Sequence, residues 1–487
     1  MTDISQDIQD KCLRYQVVPL KIDNQQLVVA AVQSESLTQV ISELSFTCGY
    51  AIKVDYWPRA KIEQYIHQVK HDRPDNAFIV AQQHQSNAAS AEYTDNRHDD
   101  EPVVQFINQV IRQALQRRAS DIHFEPYAHH YRIRLRIDGT LQETATPPAS
   151  IAPQLVARLK IMAWLDIAER RLPQDGQLLF HHDGEDRALR ISTIPVSCGE
   201  KVVLRVMESG KQQQQIAALG MPDQLLQLYT KTINQPQGLV LVTGPTGSGK
   251  TVTLYSGLRQ LNDASRNICS VEDPIEIPIN GINQTQINLK AGITFSTALK
   301  AFLRQDPDIL MVGEIRDRET AEIAVEAAQT GHLVLATLHT NSTADTLIRL
   351  SQMGIPDYLL ASSLKLIISQ RLIRCLCPHC KQKSHQPQKI YTGQKNVIID
   401  AYQAVGCEHC LNGYYGRTGI YEMLSISDEI RQALFNGATV TELHSLACRQ
   451  GMIPLFDAGI GLVEQGVTSL PELYRTVGFP HKTEDSR

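Results

Sequence analysis

Residues 244–251 read Gly-Pro-Thr-Gly-Ser-Gly-Lys-Thr and fit the phosphate-loop pattern G-x-x-x-x-G-K-[ST]. The apolar run 238–243 precedes them, and the helix-compatible run 252–261 follows them. The glycines of such a loop let backbone N–H groups turn toward a phosphate, and the next helix directs its positive end at the same anion. The stretch therefore predicts a strand–loop–helix unit that binds a nucleoside triphosphate in an α/β domain.

Each residue of this loop has a predicted role. Lys250 is expected to reach the β- and γ-phosphates of ATP, and the Thr251 hydroxyl to hold Mg²⁺. The alternative is a chance glycine-rich turn, and the flanking strand and helix patterns count against it. The residues predicted to cradle the phosphates are Gly244, Pro245, Thr246, Gly247, Ser248, Gly249, Lys250 and Thr251.

The whole chain has the composition of a globular protein. Its 487 residues suggest roughly three domains, and its net charge of −5 provides no basic field for nucleic acid. It contains no apolar run of about 18 residues, and its polar, acidic start lacks the features of a signal peptide. We therefore expect a cytoplasmic protein, in which paired cysteines favour metal binding over disulfides.

The pattern along the chain predicts four segments and a helical end. Residues 1–70 alternate strand and helix patterns and predict a small N-terminal α/β domain, including strands at 27–32 and 51–56 and helices at 36–44 and 59–69. Polar residues 71–100 predict a flexible linker. A second, α+β domain is predicted at 101–210. The nucleotide-binding domain is predicted at 216–487, with helices over 427–473.

Acidic residues follow two further apolar runs. Glu272 ends the run that starts at Ile268, and Glu314 follows the run 309–312. A strand that ends in an acid resembles the Walker B arrangement, although Gly313 stands where the usual Asp would be. The alternative for each is a strand that ends in a charged turn. Because both acids follow a phosphate loop along the chain, the pattern favours a role for them in holding Mg²⁺ or orienting water.

Two histidines flank another predicted strand. His332 precedes the apolar run and His339 ends it. A polar group at a strand end beside bound nucleotide can sense the γ-phosphate. The alternative is a pair of structural histidines.

Together, the phosphate loop, 271–276, 312–317 and 330–340 resemble the secretion ATPases of type II secretion and type IV pilus assembly. In that family these motifs are the Walker A motif, the Asp box, the Walker B motif and the His box, and the Gly for Asp change is part of the pattern. The resemblance implies a RecA-like ATPase domain in which Glu314 activates water and Glu272 helps to place water or metal. It also implies that His332 and His339 couple nucleotide state to conformation, with Arg316 and Arg304 as further candidates near the phosphates.

The resemblance extends to the second domain. The stretches 120–126, 134–139 and 171–176 resemble family signatures of a PAS-like domain, although Gln177 replaces a common Arg. Arg132, Arg134 and Arg136 alternate along a predicted strand and therefore share one face. The family implies that arginines of this domain, here Arg134 and Arg136, reach the nucleotide in the manner of arginine fingers. A solvated cationic face is the alternative.

Two cysteine pairs predict a structural zinc site. Cys377 and Cys380 form one Cys-x-x-Cys knuckle, and Cys407 and Cys410 form another after 26 intervening residues. Free thiols are the alternative. Residues 381–404 look too polar to form a core, so zinc is expected to clamp the insertion at 375–410. In the resembled family, assembly and secretion motors carry such an insertion and the retraction ATPases typically lack it.

The first domain matches the family only in its order of elements. Some relatives bind cyclic di-GMP there through a motif that contains Arg-Leu-Gly, which residues 1–75 lack. We therefore expect docking to a membrane component rather than binding of a cyclic dinucleotide.

The resemblance implies an ATP-driven motor for type IV pilus or type II secretion pseudopilus assembly. It implies a homohexamer that acts on a polytopic inner-membrane platform protein, docks to a membrane-associated protein of the same machine, and associates peripherally with the inner membrane through these partners. The alternatives are a hexameric nucleic-acid translocase, a pilus retraction ATPase and a nucleotide-gated scaffold. No nucleic acid is expected as a partner, because no Lys/Arg cluster with interleaved aromatic residues is visible.

Overall fold

A computed structural model describes residues 17–23, 26–31, 51–57, 61–62, 102–207, 215–384, 386–392 and 396–479. The chain divides into two compact units, Met1–Ala89 and Ser90–Arg487. The predicted helix at 36–44, most of the one at 59–69, and the linker at 71–100 lie outside the described residues. Among the described helices, none is both long enough and apolar enough to span a bilayer.

The first unit contains a three-stranded sheet. Strand β2 pairs antiparallel with β1 and parallel with β3, and Val18, Ala30 and Ile62 pack together beside it. Two of these strands correspond to the runs predicted at 27–32 and 51–56. The strands are β1 (Val18–Asp23), β2 (Gln26–Ala31) and β3 (Ala51–Tyr56).

The second unit begins with a six-stranded antiparallel sheet of order β6-β5-β4-β9-β8-β7. Two helices pack on one face of this sheet, where Ile122, Leu135 and Leu159 are buried together. Buried and half-buried residues alternate along β5, so its arginines lie on the face opposite the helices. The elements are α1 (Pro102–Gln116), β4 (Ala119–Pro126), β5 (Tyr131–Ile137), β6 (Thr140–Ala145), α2 (Ala152–Met162), β7 (Gln174–His182), β8 (Glu185–Val196) and β9 (Gly199–Val206).

The nucleotide domain is built on a seven-stranded sheet of order β12-β11-β13-β14-β10-β15-β20. All neighbouring strands are parallel except β15 and β20, which form an antiparallel hairpin. The elements before the hairpin are α3 (Asp223–Ile233), β10 (Gly238–Thr243), α4 (Lys250–Leu261), β11 (Ile268–Glu272), β12 (Asn283–Gln286), α5 (Phe295–Phe302), β13 (Ile309–Val312), α6 (Arg318–Gln329), β14 (Leu333–Leu338), α7 (Thr343–Gln352) and α8 (Asp357–Ser363).

The remaining elements are the hairpin, its insertion and the C-terminal helices. The helices over the predicted range 427–473 number four in the described residues. The elements are β15 (Leu364–Leu376), β16 (Gln382–Lys383), β17 (Gln388–Tyr391), β18 (Asn396–Ile399), β19 (Tyr402–Gln403), β20 (Tyr414–Ser425), α9 (Asp428–Phe435), α10 (Val440–Arg449), α11 (Leu455–Glu464) and α12 (Leu470–Val477).

Apolar residues cover both faces of the central sheet. Every residue of β10 and of β14 is buried, as expected for parallel strands with helices on both sides. Leu239 and Leu241 face one apolar cluster, and Val240 and Val242 face the other. This core fixes the carboxyl ends of β10, β11, β13 and β14 at one edge of the sheet, where ligands of open α/β sheets bind.

The insertion contributes to a core, contrary to the prediction that residues 381–404 are too polar to do so. Ile390 and Ile399 lie on the paired strands β17 and β18 and are buried with Phe456 and Leu473 of the C-terminal helices. The composition of the segment misled the prediction because Ile390 and Ile399 are buried even though most of their neighbours are polar. The insertion therefore packs against α11 and α12 as well as containing the cysteines.

Candidate nucleotide site and cysteine cluster

The phosphate loop connects the end of β10 to the start of α4. Gly244, Gly247 and Gly249 have φ angles of 150°, 77° and 87°, which a residue with a side chain rarely adopts. A Cβ on Gly244 would lie 2.4 Å from the carbonyl oxygen of Gln370 and 2.6 Å from Ser248 Oγ. The first glycine is therefore required by close packing as well as by backbone conformation.

Lys250 lies under this loop. Its Nζ donates to the carbonyl oxygens of Gly244 at 2.8 Å and of Pro245 at 3.1 Å. Burial lowers the pKa of Lys250 to about 8, with Glu314 acting in the opposite direction and Arg371 adding to the decrease. A bound phosphate would supply the negative charge that favours the protonated form of this ammonium.

The outer part of the loop faces solvent. Pro245, Thr246, Gly247 and Thr251 are exposed, and Thr251 is the second residue of α4. An exposed hydroxyl at the first turn of a helix, beside exposed backbone amides, fits the role predicted for Thr251 toward Mg²⁺. These residues can therefore reach a bound nucleotide without a change in the core.

Glu314 lies between two side chains at the end of β13. Its Oε1 is 2.9 Å from His339 Nε2, and its Oε2 accepts from Arg316 Nε at 2.6 Å. Burial lowers the pKa of His339, the charges of Lys250 and Arg316 lower it further, and Glu314 opposes both effects. The structure thus brings together the predicted base, one predicted histidine and Arg316.

Glu272 is buried at the end of β11 and accepts three hydrogen bonds. Ser270 Oγ donates at 2.7 Å, Gln284 Nε2 donates at 3.0 Å, and the Tyr255 hydroxyl donates to the second carboxylate oxygen. These partners fix the carboxylate in one orientation.

Sequence reasoning missed Tyr255. It lies on α4, one helical turn beyond Thr251, and connects this helix to the Asp-box carboxylate. The spacing of four residues from Thr251 was the available signal, since residues four apart share a helix face.

His332 does not lie with the other predicted residues. Strand β14 runs parallel to β10, and Leu333, the next residue after His332, pairs with Gly238 at the start of β10. His332 is therefore separated from the phosphate-loop edge by the six residues of β14, about 20 Å at ~3.3 Å per residue. Its Nδ1 lies 3.0 Å from the carbonyl oxygen of Ala327. His332 and His339 thus lie at opposite ends of β14, and the predicted role of His332 in coupling nucleotide state to conformation stays a prediction.

Arg134 and Arg136 have carboxylate partners on the neighbouring strand. Arg134 binds Glu125 through Nε and Nη2, each at 2.8 Å, and Arg136 Nε lies 3.4 Å from Asp121 Oδ2. Burial raises the pKa of Glu125, but hydrogen bonds from Arg134 and Lys201 outweigh it and lower the pKa to about 2. Bidentate binding of a phosphate through Nε and Nη2 of Arg134 would require this arginine to leave Glu125.

The remaining weaker candidate, Arg304, is exposed just beyond α5. Unlike Arg316, it has no ion pair within the described part of the chain. Its role near the phosphates therefore stays a prediction from the sequence.

The four predicted cysteines form one cluster. Their sulfurs are separated by 3.8 Å for Cys377 and Cys407, 3.7 Å for Cys380 and Cys410, and 3.6 Å for Cys407 and Cys410. A tetrahedral zinc ion with Zn–S bonds of about 2.3 Å separates its sulfurs by roughly 3.8 Å. Backbone N–H groups of Gly406 and Cys407 donate to two of the sulfurs, at 3.3 and 3.2 Å. The donor set and its spacing therefore fit zinc.

Comparisons with known proteins agree with this geometry. The family model described as type II/IV secretion system protein matches residues 96–475, and a model described as MshEN domain matches residues 9–76. The protein transport protein HofB homolog of Escherichia coli K12 is 47% identical over 472 residues, which cover 96% of this chain and 98% of that relative. The type IV pilus assembly ATPase PilB of Pseudomonas aeruginosa is 48% identical over 383 residues, which cover 77% and 68% of the two chains.

A solved structure shows a related fold. The crystal structure of the pilus retraction motor PilT with bound ADP is 27% identical and has a TM-score of 0.51, covering 78% of this chain and 97% of that one. The family match spans both the six-stranded sheet domain and the phosphate-loop domain. With its phosphate loop, Asp box, Walker B and His box, this chain belongs to the type II/IV secretion system protein family and is an ATPase.

Proposed function

We propose that this chain is a motor that hydrolyses ATP to drive assembly of a type IV pilus or of a type II secretion pseudopilus. The observation that carries the proposal is the position of Glu314, held by His339 and Arg316 at the sheet edge that also bears the phosphate loop. This arrangement supplies a base for water beside the phosphates. The relatives named as protein transport and pilus assembly proteins support assembly, rather than retraction, as the process that the motor drives.

Some residues of the site are proposed to bind the nucleotide, and others to take part in proton transfer. Lys250 exchanges its carbonyl partners for the β- and γ-phosphate oxygens of ATP, and Thr251 contributes its hydroxyl to Mg²⁺. Glu314 accepts a proton from the attacking water, through a lone pair that its contacts with His339 and Arg316 leave available. Glu272, fixed by its three donors, orients water or the metal.

His339 offers a connection between hydrolysis and movement. Any change in the position or charge of Glu314 alters the 2.9 Å contact with His339 Nε2. His339 belongs to the segment between β14 and α7, so the contact can transmit the loss of the γ-phosphate to that segment. His332 would act from the opposite end of β14, in conformational coupling and without contacting the nucleotide.

The proposal includes three bound species and an assembly. ATP and Mg²⁺ occupy the phosphate-loop site, and zinc is held by the four clustered cysteines as a structural ion. The active form is a homohexamer, in which Arg134 and Arg136 act on nucleotide after leaving Glu125 and Asp121. The domain at 1–70 docks to a membrane-associated protein, and the ring drives a polytopic inner-membrane platform protein. The protein is thus cytoplasmic and peripheral to the inner membrane.

The test compares two variants in cells and in vitro. We expect Glu314→Gln to bind ATP and to lose hydrolysis by at least 10²-fold, and Lys250→Ala to lose both. Each should abolish surface pili or secretion. Affinity purification of Glu314→Gln from mildly solubilised membranes should recover a platform protein with pilins or secretion components. Normal assembly by either variant would contradict the proposal, and recovery of nucleic acid alone would favour a translocase.

A further inference from the structure

Arg371 lies beside the phosphate loop on the neighbouring strand. Strand β15 runs parallel to β10, with Ser369 opposite Thr243, so the next residues of both strands continue side by side. A Cβ built on Gly244 would lie 3.2 Å from Arg371 Nη1. The guanidinium thus contacts the first glycine of the loop from outside the motif.

The hydrogen-bond partners of Arg371 are neutral. Nη1 donates to the carbonyl oxygen of Gln370 at 3.0 Å, and Nη2 donates to the carbonyl oxygen and to Oδ1 of Asn341 at 3.1 and 3.2 Å. In the part of the chain that the structure describes, Arg371 forms no ion pair. Arg374, three residues further along the strand, binds the Glu472 carboxylate at 2.7 Å. Arg371 is therefore a half-buried cation whose hydrogen-bond partners among the described residues are all neutral, an environment that favours a nearby anion.

The electrostatic surroundings of Arg371 favour an anion at this place. Burial lowers the pKa of Arg371, with Glu422 acting in the opposite direction. Arg371 in turn contributes to the lowered pKa of Lys250. Two cations that repel each other in this way are both relieved when a multiply charged anion binds between them.

A second buried group on the loop points to the same conclusion. Ser248 is 3% exposed, and its hydroxyl oxygen has no hydrogen-bond partner among the described residues. A Cβ on Gly244 would meet both this oxygen and Arg371 Nη1, so the two groups lie on the same side of the loop. A buried hydroxyl without a partner is unusual in a folded protein and indicates a place where a ligand or a loop movement completes the site.

We propose that Arg371 is an additional phosphate ligand, which binds the β/γ-phosphate end of ATP within the same chain. On binding, its guanidinium exchanges the Asn341 oxygens for phosphate oxygens, to which a planar guanidinium offers two parallel donors. Because Asn341 lies two residues after His339, this exchange also releases the segment that contacts Glu314. The inference rests on the ATPase activity alone and is independent of which machine the motor serves.

The experiment measures equilibrium binding of Mg-ATPγS and Mg-ADP to the full chain. We expect Arg371→Gln to weaken ATPγS binding about ten- to hundredfold and ADP binding less, with a smaller dependence of affinity on salt. Arg371→Lys keeps the charge and should recover part of the affinity. Asn341→Ala removes one neutral partner while leaving the cation, so it should bind ATPγS at least as well as the wild type.

Two results would overturn the inference. One is unchanged ATPγS affinity in Arg371→Gln. The other is an equal loss in Arg371→Gln and Asn341→Ala, accompanied by an equal decrease of thermal stability without nucleotide, because this would show that Arg371 only ties β15 to the segment after β14. If Arg371→Gln does not fold, the ratio of ATPγS to ADP affinities in Arg371→Lys gives the answer: a ratio equal to that of the wild type would contradict a phosphate contact.

Discussion

At the scale of single residues, Lys250 is the group whose chemistry depends most clearly on the ligand. Its ammonium is buried, its hydrogen-bond partners among the described residues are two carbonyl oxygens, and burial lowers its pKa from 10.5 to about 8. The unfolded chain therefore binds more protons than the folded chain between pH 8 and 10.5, so this group's contribution to stability increases with pH over that range. Nucleotide binding acts in the opposite direction, because phosphate favours the protonated form.

This difference predicts that binding of ATP is linked to proton uptake. Around pH 8.5 a substantial fraction of the free protein should have a neutral Lys250, so binding should take up part of a proton and weaken as pH rises further. Isothermal titration calorimetry with Mg-ATPγS, in buffers of different ionisation enthalpy, measures this uptake. We expect none at pH 6.5, where Lys250 is already protonated. The same uptake at pH 8.5 in Lys250→Arg would assign it to another group.

Tyr255 provides a second test at this scale. Tyr255→Phe removes the donor to one oxygen of the Glu272 carboxylate and leaves the ring in place. We expect the turnover number to fall about tenfold, because the carboxylate loses one of the three bonds that orient it, while Kd for ATPγS changes little. Steady-state hydrolysis and equilibrium binding measure the two effects.

Tyr229→Phe is the matched control. Tyr229 lies on α3, and its hydroxyl donates at 3.0 Å to the carbonyl oxygen of Thr253. Thr253 lies on α4, the helix that carries Tyr255, so the control removes a hydroxyl contact to the same helix but not one to Glu272. It should cost about 1 kcal/mol of stability and leave the turnover number nearly unchanged. Equal losses of turnover in the two variants would mean that Tyr255 acts only by supporting the helix.

At the scale of elements, the sequence predicted the strands and loops that a local run of apolar residues or a local motif is enough to identify. The runs 238–243 and 309–312 are buried parallel strands, and the loop at 244–251 lies between strand and helix as its motif requires. Glu314 and His339 could be placed together because the carboxyl ends of parallel strands meet at one edge.

The sequence was less informative where pairing between distant segments decides the outcome. The rule that ligands bind at the carboxyl ends of parallel strands also places His332 away from the site. This histidine precedes β14 and therefore lies at the opposite, amino end of the strand. The partners of Arg134 and Arg136 come from β4 by antiparallel pairing, which spacing within one strand cannot show. Ile390 and Ile399 seemed isolated in a polar segment, and only the pairing of β17 with β18 places them together against α11.

The insertion leads to a prediction about metal removal. Chelation of zinc, or Cys380→Ser, should loosen the insertion and expose the apolar face that Ile390 and Ile399 share with the C-terminal helices. We expect faster proteolysis within 381–404 and a lower Tm. Nucleotide affinity should be retained, because the helix after the phosphate loop packs in a different apolar cluster. Metal analysis should find one zinc ion per chain. Cys198→Ser, which changes an exposed cysteine outside the cluster, should retain both zinc and protease resistance.

At the scale of the whole molecule, the six-stranded domain contacts the nucleotide domain beside the cysteine cluster. Asp138 lies in the turn between β5 and β6, and its Oδ2 accepts from the backbone N–H of Gly416 at 3.0 Å. The guanidinium of Arg118 lies 3.9 Å from the ring centroid of Tyr415, and Arg417 Nε lies 3.9 Å from the Asp138 carboxylate. The segment that follows Cys410 thus connects the cysteine cluster to the domain that carries the candidate arginine fingers.

This contact predicts that Asp138 restrains the two domains relative to each other. Asp138→Gly removes the carboxylate and tolerates the φ of 48° found there. We expect the Gly416 amide to exchange hydrogen about ten times faster, because it loses a nearly buried, charged acceptor. Hydrogen-exchange mass spectrometry over 411–418, without nucleotide, measures this change.

Asp183→Gly is the control, because Asp183 occupies the equivalent place in the turn between β7 and β8, with a φ of 52° and a carboxylate that is 85% exposed. It should leave exchange over 411–418 unchanged. If Asp138→Gly also behaves as the wild type there, the contact carries no restraint, and rotation of the six-stranded domain must be limited by other surfaces. If exchange increases and basal hydrolysis changes with it, the segment after Cys410 connects the arginine-bearing sheet to turnover.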